Sequence, residues 1–191
     1  MTYPVVSAEP GIYVVDEDGV LGVVDPASGA VRVVGETGQA FYDIAFDPWG
    51  RLYGITSSSL YRIDPHTAAV GLVGGHSAWG ANALTFDADG VLYACDAPWF
   101  GGSRLYRIDP QTARTTELAN LGTIRSAGDL AFHQGKLYLT TASDQLVEIV
   151  LGATVSTRVV GSLGRSDVMG LVTGDDGVLY AVDAKSGAVR W

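Results

Sequence analysis

The stretch Asp43-Ile44-Ala45-Phe46-Asp47-Pro48-Trp49-Gly50, followed by Leu52-Tyr53, decides how this chain is read. A short apolar run enters a turn that contains Gly and a second apolar run leaves it, the pattern of strand, tight turn, strand. The pattern returns as Ala83-Leu84-Thr85-Phe86-Asp87-Ala88-Asp89-Gly90 before Leu92-Tyr93 and as Asp129-Leu130-Ala131-Phe132-His133-Gln134-Gly135 before Leu137-Tyr138. A further copy is Gly170-Leu171-Val172-Thr173-Gly174-Asp175-Asp176-Gly177 before Leu179-Tyr180. The Leu-Tyr pairs stand 40, 45 and 42 residues apart, with Ile12-Tyr13 as a weaker first copy. Internal repetition at a period near 42 is the dominant feature of the sequence.

A third run follows each Leu-Tyr and ends in Asp-Pro: Leu21-Gly22-Val23-Val24-Asp25-Pro26, Leu60-Tyr61-Arg62-Ile63-Asp64-Pro65 and Leu105-Tyr106-Arg107-Ile108-Asp109-Pro110. Asp-Pro suits a turn, because Pro fixes φ and the Asp carboxylate accepts a nearby backbone N–H. A fourth, more polar run comes next, as in Ala30-Val31-Arg32-Val33-Val34 and Arg114-Thr115-Thr116-Glu117-Leu118. No window carries apolar residues at helical spacing between caps, so helix content near zero is expected. Four antiparallel strands per unit of about 42 residues, the first apolar and the last solvated, predict an all-β chain folded as a β-propeller.

The copies resemble bacterial propellers with NHL-like and quinoprotein-like repeats, whose blades read roughly as apolar-Phe-Asp-x-x-Gly-x-Leu-Tyr and then Leu-Tyr-x-Ile-Asp-Pro. The resemblance runs from about Tyr3 to Trp191 and implies a fold rather than a function, since propellers carry enzymes, lectins and scaffolds alike. Strand assignment gives blades at about 2–37, 40–76, 79–122 and 126–164, then a last blade from Arg165 that stops before its fourth strand. The expectation is a single domain over residues 1–191 with five four-stranded blades, the last incomplete. Two alternatives stay open. Tyr3-Pro4-Val5-Val6 could supply the outer strand of the last blade and leave the first one short, or the blades could form an open arc that associates through an unpaired edge.

Composition narrows the partners. Apolar residues make up 47% and charged residues 17%, enough for a core and too little charge for a disordered chain. The apolar runs are far shorter than the roughly 20 residues that span a bilayer, so no membrane insertion is expected. A net charge of −9 disfavours nucleic acid. Cys95 is the single cysteine, and Met1-Thr2-Tyr3-Pro4 shows neither a basic nor an apolar leader region, so a cytoplasmic location is the expectation.

Residues that break the repeat carry the functional question. The loop Ala97-Pro98-Trp99-Phe100-Gly101-Gly102 lengthens a connection that is only Ser57-Ser58-Ser59 one blade earlier, and it offers Trp99 and Phe100 as recognition aromatics. Trp79 stands in the connection His76-Ser77-Ala78-Trp79-Gly80-Ala81-Asn82 between blades. Asp43, Asn82, Asp129 and Asp167 recur near the starts of inner strands, where they could ring the channel mouth and hold a cation or sugar hydroxyls. The competing reading is that each satisfies local backbone donors.

Catalysis has little footing: His66, His76 and His133 fall in three blades without zinc spacing, and neither a nucleophile elbow nor a phosphate loop is present. Propeller lactonases resembling gluconolactonase hold a metal with inward Glu, Asn and Asp, whereas Glu9, Glu17, Glu36, Glu117 and Glu148 are not on inner strands here. The expectation is a non-catalytic binding or scaffold module without cofactor or metal that takes a protein partner or a small polar ligand and can form an oligomer through an open blade edge. The alternatives are a carbohydrate-binding propeller using Trp49, Trp79 and Trp99, and a metal-dependent lactonase.

Overall fold

The computed structural model describes residues 9–165, 168–174, 176–183 and 189–190. Its strands form five antiparallel sheets taken in chain order, and the described residues contain no helix. The first sheet has three strands, β1 (Ile12–Val15), β2 (Val20–Val24) and β3 (Val31–Glu36). The second comprises β4 (Asp43–Phe46), β5 (Leu52–Ile55), β6 (Ser59–Ile63) and β7 (Val70–Gly75). The third comprises β8 (Ala81–Phe86), β9 (Leu92–Asp96), β10 (Arg104–Ile108) and β11 (Thr115–Asn120). The fourth is β12 (Ser126–His133), β13 (Lys136–Thr141), β14 (Gln145–Val150) and β15 (Ser156–Ser162). The last is β16 (Val168–Thr173), β17 (Leu179–Asp183) and β18 (Val189–Arg190). Each sheet is one blade of a β-propeller; among the described residues the first and last blades have three strands each and the others four.

The first strands of blades two to five, β4, β8, β12 and β16, pack side by side in sequence. In blade one, β1 carries Ile12-Tyr13 and touches β4 as β5 touches β8, so β1 is the second strand of its blade. The proposed N-terminal strand Tyr3-Pro4-Val5-Val6 lies outside the described residues.

Blade-to-blade packing accounts for the repeat. The Tyr of each Leu-Tyr pair meets the Phe that ends the next blade's first strand: Tyr13 on Phe46 at 4.9 Å between ring centroids, Tyr53 on Phe86 at 5.1 Å and Tyr93 on Phe132 at 5.5 Å. Such edge and tilted pairs add about 0.5–1.5 kcal/mol beyond the area they bury. In blade five the Phe position is Thr173, whose hydroxyl donates instead to the Phe132 carbonyl at 2.8 Å.

A second seam lies further out. Ala68 and Ala113 end the Asp-Pro turns in the left-handed region, each at φ 60°, a conformation that normally favours glycine. Both are fully buried and lie against Gly35 and Gly74 of the preceding blade, where an added Cβ would come within 3.3 Å of the alanine methyl. The methyl fills the space above the glycine, which explains alanine at a strained φ.

Candidate ligand-binding face

Because the strands of a blade alternate in direction, its connections sort to two ends. The loops between second and third strands and the links from one blade to the next share one end, here the loop face. The turns between first and second and between third and fourth strands share the other. Trp79 lies in the β7–β8 link and Trp99 and Phe100 in the β9–β10 loop, so all three belong to the loop face. Trp49 lies in the β4–β5 turn on the opposite end, over Gly90 and with the Arg51 guanidinium 5.1 Å from its ring. The structure therefore separates Trp49 from the other two indoles.

Trp99 and Phe100 are 91% and 93% exposed, and Trp79 is 72% exposed. Exposed aromatics on loops tend to wander, but the backbone beneath these is fixed. The Asp96 carboxylate, buried at the end of β9, accepts the Arg104 N–H at 2.6 Å and the Tyr106 hydroxyl at 3.0 Å, closing the loop at its base. The Arg104 guanidinium lies 3.6 Å from Asp96 and 3.7 Å from Glu117. The same position is Thr56 in blade two and Thr141 in blade four, each capping a shorter loop through its hydroxyl. Ala97 N–H donates to the Gly80 carbonyl at 3.0 Å and ties the Trp99 loop to the Trp79 link. On the other side Ser103 N–H donates to the Ile124 carbonyl at 2.7 Å, and the Arg125 guanidinium donates to the Pro98 carbonyl at 3.1 Å. Gly102 packs so closely on this link that any Cβ there would collide with the Gly122 carbonyl.

His76 stands under the Trp79 link. It is buried, its Nε2 donates to the Thr56 carbonyl at 3.1 Å, and its Nδ1 has no partner among the described residues. Burial lowers its pKa, because the imidazolium would lose hydration.

The inner strands supply a second feature. Asp43 and Asp129 occupy the same register position in blades two and four, where blades three and five have the small residues Ala83 and Gly170. Each carboxylate accepts a backbone N–H from the next blade. Asp43 takes the Leu84 N–H at 2.5 Å and Asp129 takes that of Leu171. The two carboxyls lie close enough that the charge of one disfavours ionisation of the other. Burial, then the charge of Asp129, pushes Asp43 well above the carboxylate range; burial pushes Asp129 up to about 8. Asn82 is one residue out of this register, at a bulge in β8, and its buried Oδ1 has no partner among the described residues. Asp167 lies outside the described residues. Of the four polar residues picked out near the inner strands, the structure thus brings Asp43 and Asp129 into contact. That the two carboxyls would meet was not legible from either copy alone.

Among the described residues no three His, Cys, Asp or Glu side chains cluster closely enough to hold a metal ion. Cys95 is buried on β9, and desolvation raises its thiol pKa far above neutrality.

A sequence profile of the Tachylectin family matches residues 5–146, well over half of the chain. No curated protein sequence matches it. Similar solved structures include a symmetrical protein from work on its de novo evolutionary emergence, at 20% identity and TM-score 0.62, covering 89% of this chain and 81% of that one. A gluconolactonase from Xanthomonas campestris is similar at 18% identity and TM-score 0.59, over 88% of this chain and 64% of that one. The PQQ-bound aldose sugar dehydrogenase from Streptomyces coelicolor is similar at 14% identity and TM-score 0.54, over 90% and 69%. This chain therefore spans about two thirds of the length of either enzyme. At these identities the likeness is one of fold, a β-propeller.

Proposed function

The chain belongs to the Tachylectin family, and from that membership we propose that it is a non-catalytic saccharide-binding propeller whose ligand face is built on blade three. The observation that carries this reading is the pair Trp99 and Phe100, 91% and 93% exposed on a loop tied down at both sides. Water against so much aromatic surface is unfavourable unless something covers it, and the apolar face of a sugar ring stacks well on an indole. Holding the backbone in place beforehand lowers the ordering cost of binding. Trp79, tied to the loop through Gly80 and Ala97, extends the platform.

The test is a glycan array probed with the full chain. Binding that disappears in Trp99→Ala while the melting temperature stays unchanged supports the reading; an array without response rejects it. A protein partner docking on the same aromatics is the second reading, since aromatic anchors also dominate protein interfaces. It predicts a stoichiometric co-purifying protein, released by the same substitution, and no glycan response.

A further inference from the structure

We propose that the ligand of the blade-three loop is an anionic glycan, one bearing a carboxylate or a sulfate, and that Arg125 receives the anionic group. The inference rests on the saccharide reading above and narrows it to a class.

Arg125 is exposed in the link between β11 and β12, beside the loop that presents Trp99 and Phe100. Its surroundings are out of keeping with the rest of the chain, in which 21 acidic residues face 12 basic ones. Arg32 pairs with Glu9, Arg51 with Asp47, Arg158 with Glu148, and Arg104 with Asp96 and Glu117. Arg125, like Arg62, Arg107 and Arg114, makes no ion pair among the described residues, but it alone of these stands beside the Trp99 loop, its guanidinium held by the neutral Pro98 carbonyl at 3.1 Å. Neither the loop 97–103 nor the link 121–126 contains an acidic residue, and Asp96 is occupied by its bonds to Arg104 and Tyr106. A guanidinium has five N–H donors in a planar fork, so one bond to a carbonyl leaves the others for a carboxylate or sulfate.

The placement is also preorganised. The backbone on both sides of Arg125 is fixed, by Ser103 N–H on the Ile124 carbonyl at 2.7 Å and by Ala142 N–H on the Arg125 carbonyl at 2.9 Å. The bond to Pro98 sets the cation one residue from Trp99. A sugar stacked on the Trp99 indole would therefore carry an acidic substituent within reach of a guanidinium that has no carboxylate of its own. A neutral sugar would use the indole and leave the charge solvated.

The experiment uses matched glycans, each presented in neutral, sialylated, uronic-acid and sulfated forms, with dissociation constants from calorimetry for the responding pairs. Wild-type protein is expected to bind an acidic form about tenfold or more tightly than its neutral parent at low salt, the scale of a charge-assisted hydrogen bond. The advantage should shrink as salt rises. Arg125→Gln, which keeps an N–H donor for the Pro98 carbonyl but carries no charge, should bring the acidic and neutral affinities together, with Arg125→Lys retaining part of the advantage. Equal affinity for acidic and neutral forms in the wild type, or an advantage that persists in Arg125→Gln, overturns the inference while the Trp99-dependent neutral binding stands. Failure of every glycan overturns the saccharide reading together with it. The sialylated and uronic-acid arms against the sulfated arm identify the anionic group.

Discussion

Part of the acidity of the chain is turn chemistry. Asp47, Asp87 and Asp176 accept backbone N–H groups within the hairpin turns that precede Leu-Tyr, and Asp25, Asp64 and Asp109 do the same in the Asp-Pro turns. Repetition of one local requirement in this way supplies six of the 21 acidic residues. Asp43 and Asp129 differ, because their acceptor work joins one blade to the next and their carboxyls meet. A carboxyl whose folded-state pKa is raised holds its proton more tightly when folded. Its contribution is complete below the unfolded value near 3.8 and is lost as pH rises through the folded value, about 8 for Asp129. Wild-type protein should therefore lose melting temperature as pH rises from about 4 to about 8 and level off above that, at about 2–4 °C per kcal/mol for a chain of this size. Asp43→Asn keeps an acceptor for Leu84 and a permanent donor toward Asp129, so its profile over the same range should be flatter. Parallel profiles for the two proteins would show that the two carboxyls do not act on each other. Gly102 gives a residue-scale test of the loop. Gly102→Ala forces the Trp99 loop away from the Gly122 carbonyl, so amide exchange in residues 97–103 should speed up and glycan affinity should fall, with the blade core unaffected.

At the scale of the element, the Leu-Tyr and Phe-Asp signatures are two halves of one contact. Tyr53 on β5 and Phe86 on β8 sit in the same buried cluster with Ile55, Leu84 and Leu92. Phe86→Ala should cost about 3–5 kcal/mol, the usual range for emptying a buried aromatic site. Urea denaturation measures it, and a loss below about 1 kcal/mol would show that the blades are not held by this seam. The strands themselves were legible because each shows apolar residues between turn signals. The bulges were not. They fall at Leu21/Gly22, Leu60/Tyr61, Leu105/Tyr106 and Leu146/Val147, where the third strand pairs with the fourth, and at Ala81/Ala83, Ser126/Leu130 and Val168/Gly170, where the first pairs with the second. A bulge depends on the partner strand and on the twist the blade needs, neither of which a single strand's sequence specifies.

For the whole molecule, the blades share one plan while their loops do not. The loop between second and third strands spans seven residues in blade three, from Ala97 to Ser103, against three in blade two, from Thr56 to Ser58. Blade four has three as well, from Ala142 to Asp144. Among the loops between second and third strands in blades one to four, the longest alone carries exposed aromatic rings. A saccharide should then bind one per chain, and calorimetry should give a stoichiometry near one; a value near the number of blades would mean that the binding feature repeats with the fold.

By itself, the sequence determined the architecture. The period near 42, the strand and turn signals and the lack of helical spacing follow from local backbone and side-chain preferences that every copy repeats. Its departures from the repeat also singled out Trp79, Trp99 and Phe100. What only the tertiary structure decided was which distant residues meet. It put Trp49 on the opposite end from Trp79, fastened the Trp99 loop to a link more than twenty residues away through Ser103 and Arg125, and joined the carboxyls of Asp43 and Asp129 across the inner strands. The physical reason is that these contacts arise between blades, from strand direction and packing around the inner strands, and a repeat read one copy at a time contains neither.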